Sequence, residues 1–201
     1  MRPTILNMLA ICILVAGCDW NPLFDDSGPS FFVASLDGAV EADYEGTGEF
    51  SSGTYPWGTI SFNLGSHSDS AKFGFNHFGD VRRLQEGTYS FALLRGSVEE
   101  LRGTMAHYSR MRPDGLMEYY ISDSGTLRIT ESNSDRVDGT FEFSGIQYCV
   151  RTPNSVGTMG EGPCRRVLIP DPIPSDLPRI TVTGSFSTTR DVSVVHQTDP
   201  P

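Results

Sequence analysis

The feature of this sequence that most limits its fold is a repeated alternation of apolar and polar residues with a period of two. The alternation is clearest in five segments, whose apolar or glycine positions are Ile60, Phe62 and Leu64; Tyr89, Phe91 and Leu93; Leu127 and Ile129; Val137, Gly139, Phe141 and Phe143; and Ile180, Val182, Gly184 and Phe186. Side chains alternate between the two faces of a β-strand, so this pattern predicts antiparallel strands with one buried and one wet face. We therefore expect Phe141 and Phe143 to point inward and Glu142 to point outward.

Further segments rich in apolar residues are also predicted to be strands. They are Phe31–Leu36, Lys72–Phe75, Gly103–Tyr108, Met117–Ile121 and Gln147–Arg151. Helical patterning is nearly absent, and short connections favour pairing between successive strands. The sequence thus predicts an all-β protein, an antiparallel meander that forms either a lipocalin-like barrel or a two-sheet sandwich.

The first 17 residues have the order of a secretory signal peptide. Arg2 supplies positive charge, Ile5 to Val15 are mostly apolar, and two small residues, Ala16 and Gly17, follow. A membrane-spanning helix needs about 20 apolar residues. The apolar run here stops at Cys18, which favours a signal peptide.

Val15-Ala16-Gly17-Cys18 resembles the lipobox of bacterial lipoproteins, in which the cysteine is lipidated and becomes the mature N-terminus. The resemblance implies fatty acylation of Cys18, with palmitate for example, and a lipid anchor in the membrane of the cell envelope. The periplasmic face and the outer surface both stay open, as do the inner and the outer membrane. An ordinary signal-peptidase site that happens to contain a cysteine is the alternative.

The chain then divides into four parts. Residues 1–17 are predicted to be the lipoprotein signal peptide, 18–30 a lipidated tether, 31–188 the β-domain, and 189–201 a flexible C-terminal tail.

Two cysteines remain once Cys12 is assigned to the signal peptide and Cys18 to the lipid. Cys149 and Cys164 belong to an exported chain, and exported proteins fold in an oxidising compartment, so we expect a disulfide between them. Two free thiols or two metal ligands are the alternatives, although no CxxC or HxxxH motif accompanies them.

The pattern of turns and strands recurs in Phe31–Gly38, Gly87–Tyr89, Ser124–Thr130, Val137–Phe143 and Val182–Phe186. Together these segments resemble a family of lipid-anchored β-domains of unknown function from the envelopes of Gram-negative bacteria. The resemblance extends from about Phe31 to Thr188 and implies a β-rich envelope domain. Because that family has no established catalytic residues, it supplies no candidate site residue.

Charge and motifs exclude several function classes. The chain has 15 basic and 25 acidic residues, a net charge of -10, which disfavours nucleic acid as a partner. No G-x-S-x-G motif occurs, and Asp123-Ser124-Gly125 is predicted to be a turn that leads into the next strand. We predict no catalytic residue, no metal site and no cofactor.

Two groups of residues are candidate metal ligands. His67 and His77 are ten residues apart and could meet across a turn, but scattered surface histidines are the simpler interpretation. Asn133, Asp135 and Asp138 hint at calcium, but their spacing does not match an EF-hand loop, and a hairpin turn is predicted instead.

Aromatic residues form the remaining candidate, a platform for a sugar or an apolar ligand. They are Tyr55, Trp57, Phe73, Phe75, Phe78, Tyr119 and Tyr120. Packing in the core explains most of them equally well.

The predicted function is that of a non-enzymatic, lipid-anchored envelope protein whose β-domain binds an envelope protein or a small ligand. One alternative is a small-ligand carrier with an internal barrel cavity. Another is a secreted hydrolase that uses His67, His77 or His107 with carboxylates. A large apolar cavity would favour the carrier, and an exposed apolar patch over a filled core would favour a scaffold or adhesin.

Overall fold

The computed structural model describes residues 30–52, 60–67, 71–79, 83–95, 101–151 and 171–190, and these contain nine β-strands and no helix. The strands are β1 (Phe31–Gly38), β2 (Ala42–Ser52), β3 (Ile60–Ser66), β4 (Lys72–Phe78), β5 (Gly87–Ser90), β6 (Gly103–Met111), β7 (Met117–Ser132), β8 (Arg136–Arg151) and β9 (Arg179–Arg190). The first strand begins at Phe31 and the last ends at Arg190, close to the limits of the predicted β-domain, residues 31–188.

Eight of these strands form a closed antiparallel barrel in the order β1-β2-β3-β4-β6-β7-β8-β9. The barrel closes where β9 pairs with β1, from Phe31 opposite Ser187 to Gly38 opposite Ile180. The prediction of an all-β antiparallel fold is confirmed. Of the two predicted forms, a barrel and a two-sheet sandwich, the structure has the barrel. Closure pairs the first strand with the last, so neither remains an open edge of the sheet.

β5 is the exception to pairing between successive strands. It pairs with the second half of β7, from Gly87 opposite Ile129 to Ser90 opposite Thr126, while β6 pairs with the first half. The alternation had predicted a strand that extends to Leu93. Instead, the pairing of β5 ends at Ser90, and Phe91 adds only an isolated bridge to β6.

β7 and β8 are each longer than predicted, because bulges bend them without ending them. Met117–Ile121 and Leu127–Ile129 lie in one 16-residue strand, β7. Between the pairs Ser122–Gly145 and Ser124–Ser144, Asp123 is an extra residue. The predicted turn at Asp123-Ser124-Gly125 is therefore wrong, and the segment is a β-bulge. Gly125 has a φ of 135°, which side-chain-bearing residues rarely adopt.

β8 likewise unites two predicted strands, Val137–Ser144 and Gln147–Arg151. Its extra residue is Tyr148, which falls between the partners of Tyr119 and Tyr120. A bulge of this kind increases the local twist, which helps a sheet to close into a barrel.

β2 was not predicted, because glycines replace apolar residues at two of its inward positions. Tyr44, Gly46, Gly48 and Phe50 all face the interior. A Cβ atom on Gly46 would lie 2.0 Å from the carbonyl oxygen of Gly65 and 2.6 Å from the ring of Phe32. Only glycine permits this close approach between β2 and β3.

The barrel interior forms the main core. Phe141 and Phe143 are 3% and 1% exposed and Glu142 is exposed, so the predicted orientation of this strand is confirmed. A smaller apolar cluster lies outside the barrel wall, and partly buried residues of the β5–β6 and β8–β9 connections pack against it. Its buried members are Phe78, Leu101, Met105, Ile121 and Ile146.

Cys149 is buried in β8 and is the one cysteine among the described residues. Cys18 and Cys164 lie outside those residues, as do Tyr55 and Trp57. The lipidation of Cys18 and the Cys149–Cys164 disulfide therefore stay predictions.

Candidate functional site

Aromatic rings fill the middle of the barrel. The ring centroid of Phe75 lies 4.8 Å from that of Phe141 and 5.8 Å from that of Phe186, and Phe62 lies 5.5 Å from Phe186. These distances are typical of packed aromatic pairs. In this section of the barrel, the packed rings occupy the space in which a small-ligand carrier would enclose its ligand.

The described candidates for an aromatic platform do not form an exposed surface. Phe73, Phe75 and Phe78 are buried, and so is Tyr120. Tyr119 is half-buried, with its ring centroid 6.3 Å from that of Tyr148. Core packing explains the buried members.

A buried polar network occupies one end of the barrel, where β1 joins β2, β3 joins β4 and β6 joins β7. We call this the polar end. The network consists of Tyr44, Tyr108, Arg110, Glu118, Tyr120 and Gln147. The hydroxyls of Tyr44 and Tyr108 lie 2.9 Å apart. Glu118 accepts hydrogen bonds from Arg110 Nε and, at 3.1 Å, from Gln147 Nε2.

Electrostatics favour a structural role for this network. Burial raises the pKa of Tyr108, and the hydrogen bond to Tyr44 raises it further. Burial and the charge of Glu118 likewise raise the pKa of Tyr120. Both phenols therefore stay protonated at neutral pH and act as hydrogen-bonding groups rather than bases. The carboxylate of Glu118, which is 4% exposed, is stabilised by Arg110 and Gln147.

The opposite end of the barrel, which we call the mouth, contains a cavity of about 200 Å³. Its apolar floor consists of Phe50, Ile60, Phe62, Leu84 and Val137. Its polar rim consists of Ser52, Arg83, Asn133, Ser134 and Arg190. An apolar pocket with a few polar groups at its edge is the common form of a small-molecule site, and barrel mouths are a frequent location.

The β7–β8 turn forms one wall of the mouth. Asn133 Oδ1 accepts hydrogen bonds from the backbone nitrogens of Asp135 and Arg136, at 3.0 and 2.8 Å. An asparagine side chain that bonds the backbone in this way fixes the turn. Asp138 accepts hydrogen bonds from Arg136 and Ser187. The Asp135 carboxylate accepts a hydrogen bond from the Ser134 hydroxyl at 3.0 Å. The predicted hairpin turn is thus confirmed, and the side-chain oxygens of all three candidate calcium ligands accept hydrogen bonds within the protein.

Ser132 fixes the two residues that cross the mouth. Its hydroxyl donates to the carbonyl oxygen of Leu84 at 2.6 Å, and Arg83 donates from Nε to that hydroxyl and from Nη2 to the Ser132 carbonyl oxygen. On the other side, the backbone nitrogen of Arg190 donates to the carbonyl oxygen of Asp135 at 2.9 Å. The Arg83 side chain, the backbone of Leu84 and the backbone of Arg190 are therefore anchored to the β7–β8 hairpin.

The described residues of the mouth carry a charge opposite to that of the chain. Both charged residues among those that line the cavity are arginines, in a protein with a net charge of -10. Among the described residues that line it, no histidine, cysteine or carboxylate is present. The geometry is suited to holding an apolar or anionic molecule.

The outer wall of the barrel also carries a depression, of about 630 Å³, across β2, β1 and β9. It is open, and mainly hydroxyl and carboxylate side chains line it. Val33 is 45% exposed there, but its cross-strand neighbours are Glu45 and Ser185. One apolar side chain between polar ones is normal for a soluble surface.

The three histidines do not come together. In the β3–β4 hairpin His77 lies opposite Ile60, while His67 follows the other end of β3, so the hypothesis that they meet across a turn is wrong. His77 Nδ1 lies 2.9 Å from Thr104 Oγ1, and burial lowers the pKa of His77. His107 packs over Gly74 on the opposite face of the wall. Across the described ranges no three side chains of the metal-binding types cluster.

Sequence reasoning missed both arginines of the mouth. The alternation in β9 gives the signal for one of them, because Val182, Phe186 and Thr188 are inward and Arg190 continues the same phase. Arg83 has no comparable signal, since it precedes β5 and lies in no strand.

No family model, no curated protein and no solved structure matches this chain. In the part of the chain that the structure describes, no helix is long and apolar enough to cross a membrane.

Proposed function

We propose that this protein is a lipid-anchored protein of the bacterial cell envelope that binds a small, mainly apolar ligand at the mouth of its β-barrel and catalyses no reaction. The observation that carries the proposal is the mouth cavity, with five apolar side chains as its floor and hydrogen-bonding groups on its rim. The anchor is inferred from the lipobox-like segment that ends at Cys18.

The filled middle of the barrel favours the mouth over a deep internal cavity. A cavity of about 200 Å³ is smaller than the roughly 300–1,000 Å³ of pockets that enclose a drug-sized molecule. At roughly 30 Å³ for each water-sized group, it has room for about seven such groups. A six-carbon chain with one polar head is of the right size.

A pair of serine substitutions tests the mouth. Ser52 faces the mouth cavity, whereas Ser51 is its neighbour on β2 and does not line it. We expect Ser52→Phe to fill the cavity and weaken the binding of 1-hexanol about tenfold or more, a loss of about 1.4 kcal/mol of binding free energy. Ser51→Phe should leave the affinity within about twofold. Saturation-transfer NMR titrations of the whole chain measure the 1-hexanol affinity of both variants. An equal loss of affinity in the two would contradict the mouth as the binding site.

The anchor has its own test. We expect Cys18→Ser to abolish incorporation of labelled palmitate, because Cys18 is the proposed site of acylation. The protein should also move from the membrane to the soluble fraction, because the acyl chains are its proposed anchor. Membrane fractionation with metabolic labelling measures both effects. Labelled palmitate in the Cys18→Ser protein would show that the anchor is assigned wrongly.

A further inference from the structure

We propose that the mouth is the membrane-proximal end of the barrel and that it binds a single-chain anionic amphiphile, with a carboxylate or phosphate head, which it takes from the bilayer. This inference rests on the proposed function and specifies its ligand. It joins two independent observations, namely where the chain enters the barrel and which charges surround the cavity.

The chain enters the barrel at the mouth. β1 begins at Phe31, which lies opposite Ser187, three residues before the rim residue Arg190. The end of β2 lies at the same place, since Phe50 pairs with Arg190. A tether that precedes Phe31 is therefore attached beside the cavity and not at the polar end.

The length of the tether keeps the mouth near the membrane. Thirteen residue steps separate Cys18 from Phe31 (31 − 18), so the connection reaches at most about 45 Å when fully extended. As a random coil it would span about 20 Å. β8, with 16 residues, is about 50 Å long, which at a strand tilt of roughly 40° corresponds to a barrel height of about 38 Å. This height exceeds the span of the coiled tether, so the tether favours an orientation with the mouth nearer to the lipid than the polar end.

The charges around the cavity select the head group. Arg83 and Arg190 lie on the rim above a floor formed by Phe50, Leu84 and other apolar side chains. Guanidinium groups attract carboxylates and phosphates through their charge and through charge-assisted hydrogen bonds. Arg83 contributes mainly its positive charge, because its Nε and Nη2 already donate to Ser132. A ligand whose apolar chain lies on the floor places its head group between Arg83 and Arg190. A neutral head gains less there, and a cationic head is repelled.

Three six-carbon probes test the ligand class: hexanoate, 1-hexanol and hexylamine. The whole chain as isolated from cells is held in nanodiscs of uncharged lipid, with empty nanodiscs as the reference for partitioning, and binding is followed by saturation-transfer NMR. We expect hexanoate to bind about tenfold more tightly than 1-hexanol, and hexylamine to bind most weakly. Equal affinity for all three would overturn the anionic preference.

Single substitutions assign the preference to the rim. We expect Arg83→Gln and Arg190→Gln each to weaken hexanoate binding about tenfold more than they weaken 1-hexanol binding, because the lost positive charge acts on the anionic head. Arg128→Gln is the matched control, because Arg128 is exposed on the outer wall of β7 and does not line the mouth. A similar loss in the Arg128→Gln protein would mean that the preference reflects overall charge, which contradicts the proposal.

The failure of this inference is distinguishable from the failure of the proposed function. Ser52→Phe should weaken all three probes, whatever their charge. If it does so while the arginine substitutions change nothing, the mouth binds ligands but the anionic class is wrong. If hexanoate binds only after residues 191–201 are removed, the chain's own C-terminus occupies the mouth and the proposal is overturned.

The source of the ligand is tested by the orientation of the barrel. Ser134 lies at the mouth and Asp114 on the β6–β7 turn at the polar end, and both are exposed. A fluorophore on Ser134→Cys should be quenched at least about twofold more strongly than one on Asp114→Cys when the nanodisc carries spin-labelled lipid head groups. Equal or stronger quenching at Asp114→Cys would overturn the membrane-facing mouth and indicate a ligand from solution.

Discussion

Replacement of Phe143 by alanine is expected to lower the free energy of unfolding by about 3–5 kcal/mol, the usual cost of emptying an aromatic core site. Phe143 is 1% exposed and its ring centroid lies 5.8 Å from that of Phe91, in an edge-on arrangement. The strands on both sides pair continuously along this part of β8, so the surrounding backbone has little freedom to collapse into the space. Chemical denaturation followed by circular dichroism measures the change.

The neighbouring residue supplies the control. Glu142 points outward and accepts a hydrogen bond of 3.3 Å from the Thr126 hydroxyl on the surface. Glu142→Ala should stay within about 0.5 kcal/mol of the unsubstituted protein. If the two substitutions cost the same, the inward and outward faces of β8 are assigned wrongly.

The second large effect is expected at Gly46. Gly46→Ala should destabilise the protein by about 3 kcal/mol or more, at the upper end of the cost of overpacking. The added carbon would lie 2.0 Å from the carbonyl oxygen of Gly65, a backbone atom of a paired strand that cannot rotate away. Relief therefore requires β2 and β3 to separate.

Gly65 is the matched control for this substitution. It lies opposite Thr47 in the same pair of strands, and a carbon added there would meet no atom within 4 Å. We expect Gly65→Ala to change the midpoint of thermal unfolding only slightly, while Gly46→Ala lowers it by many degrees or yields insoluble protein. Equal midpoints for the two variants would contradict the close approach of β2 to β3.

Among the described residues, the barrel has a filled middle, a polar end whose side chains bond one another, and an apolar cavity at the mouth, so the mouth is the end suited to a ligand. The asymmetry follows from the side chains that each end receives. At the polar end, Glu118 and its partners satisfy one another, whereas the mouth combines apolar side chains with two arginines. Ligand binding and the attachment of the chain are thus expected at the same end.

The sequence by itself determined most of the strands and the face that each residue presents. Alternation predicted that Phe141 and Phe143 lie inside and Glu142 outside, because the period of a strand is two whatever lies beside it. It did not identify β2, because two successive inward positions there, Gly46 and Gly48, are glycines and leave only Tyr44 and Phe50 as apolar signals.

Only the tertiary structure decided how the strands close and what gathers at each end. Alternation states which face is buried but not which strand is the neighbour, so barrel and sandwich were equally compatible with it. Arg83 and Arg190 are distant in sequence, and they line one cavity because β9 pairs with β1 and because Ser132 fixes Arg83 across the mouth. The candidate site is a product of closure, and closure depends on contacts between residues far apart in the chain.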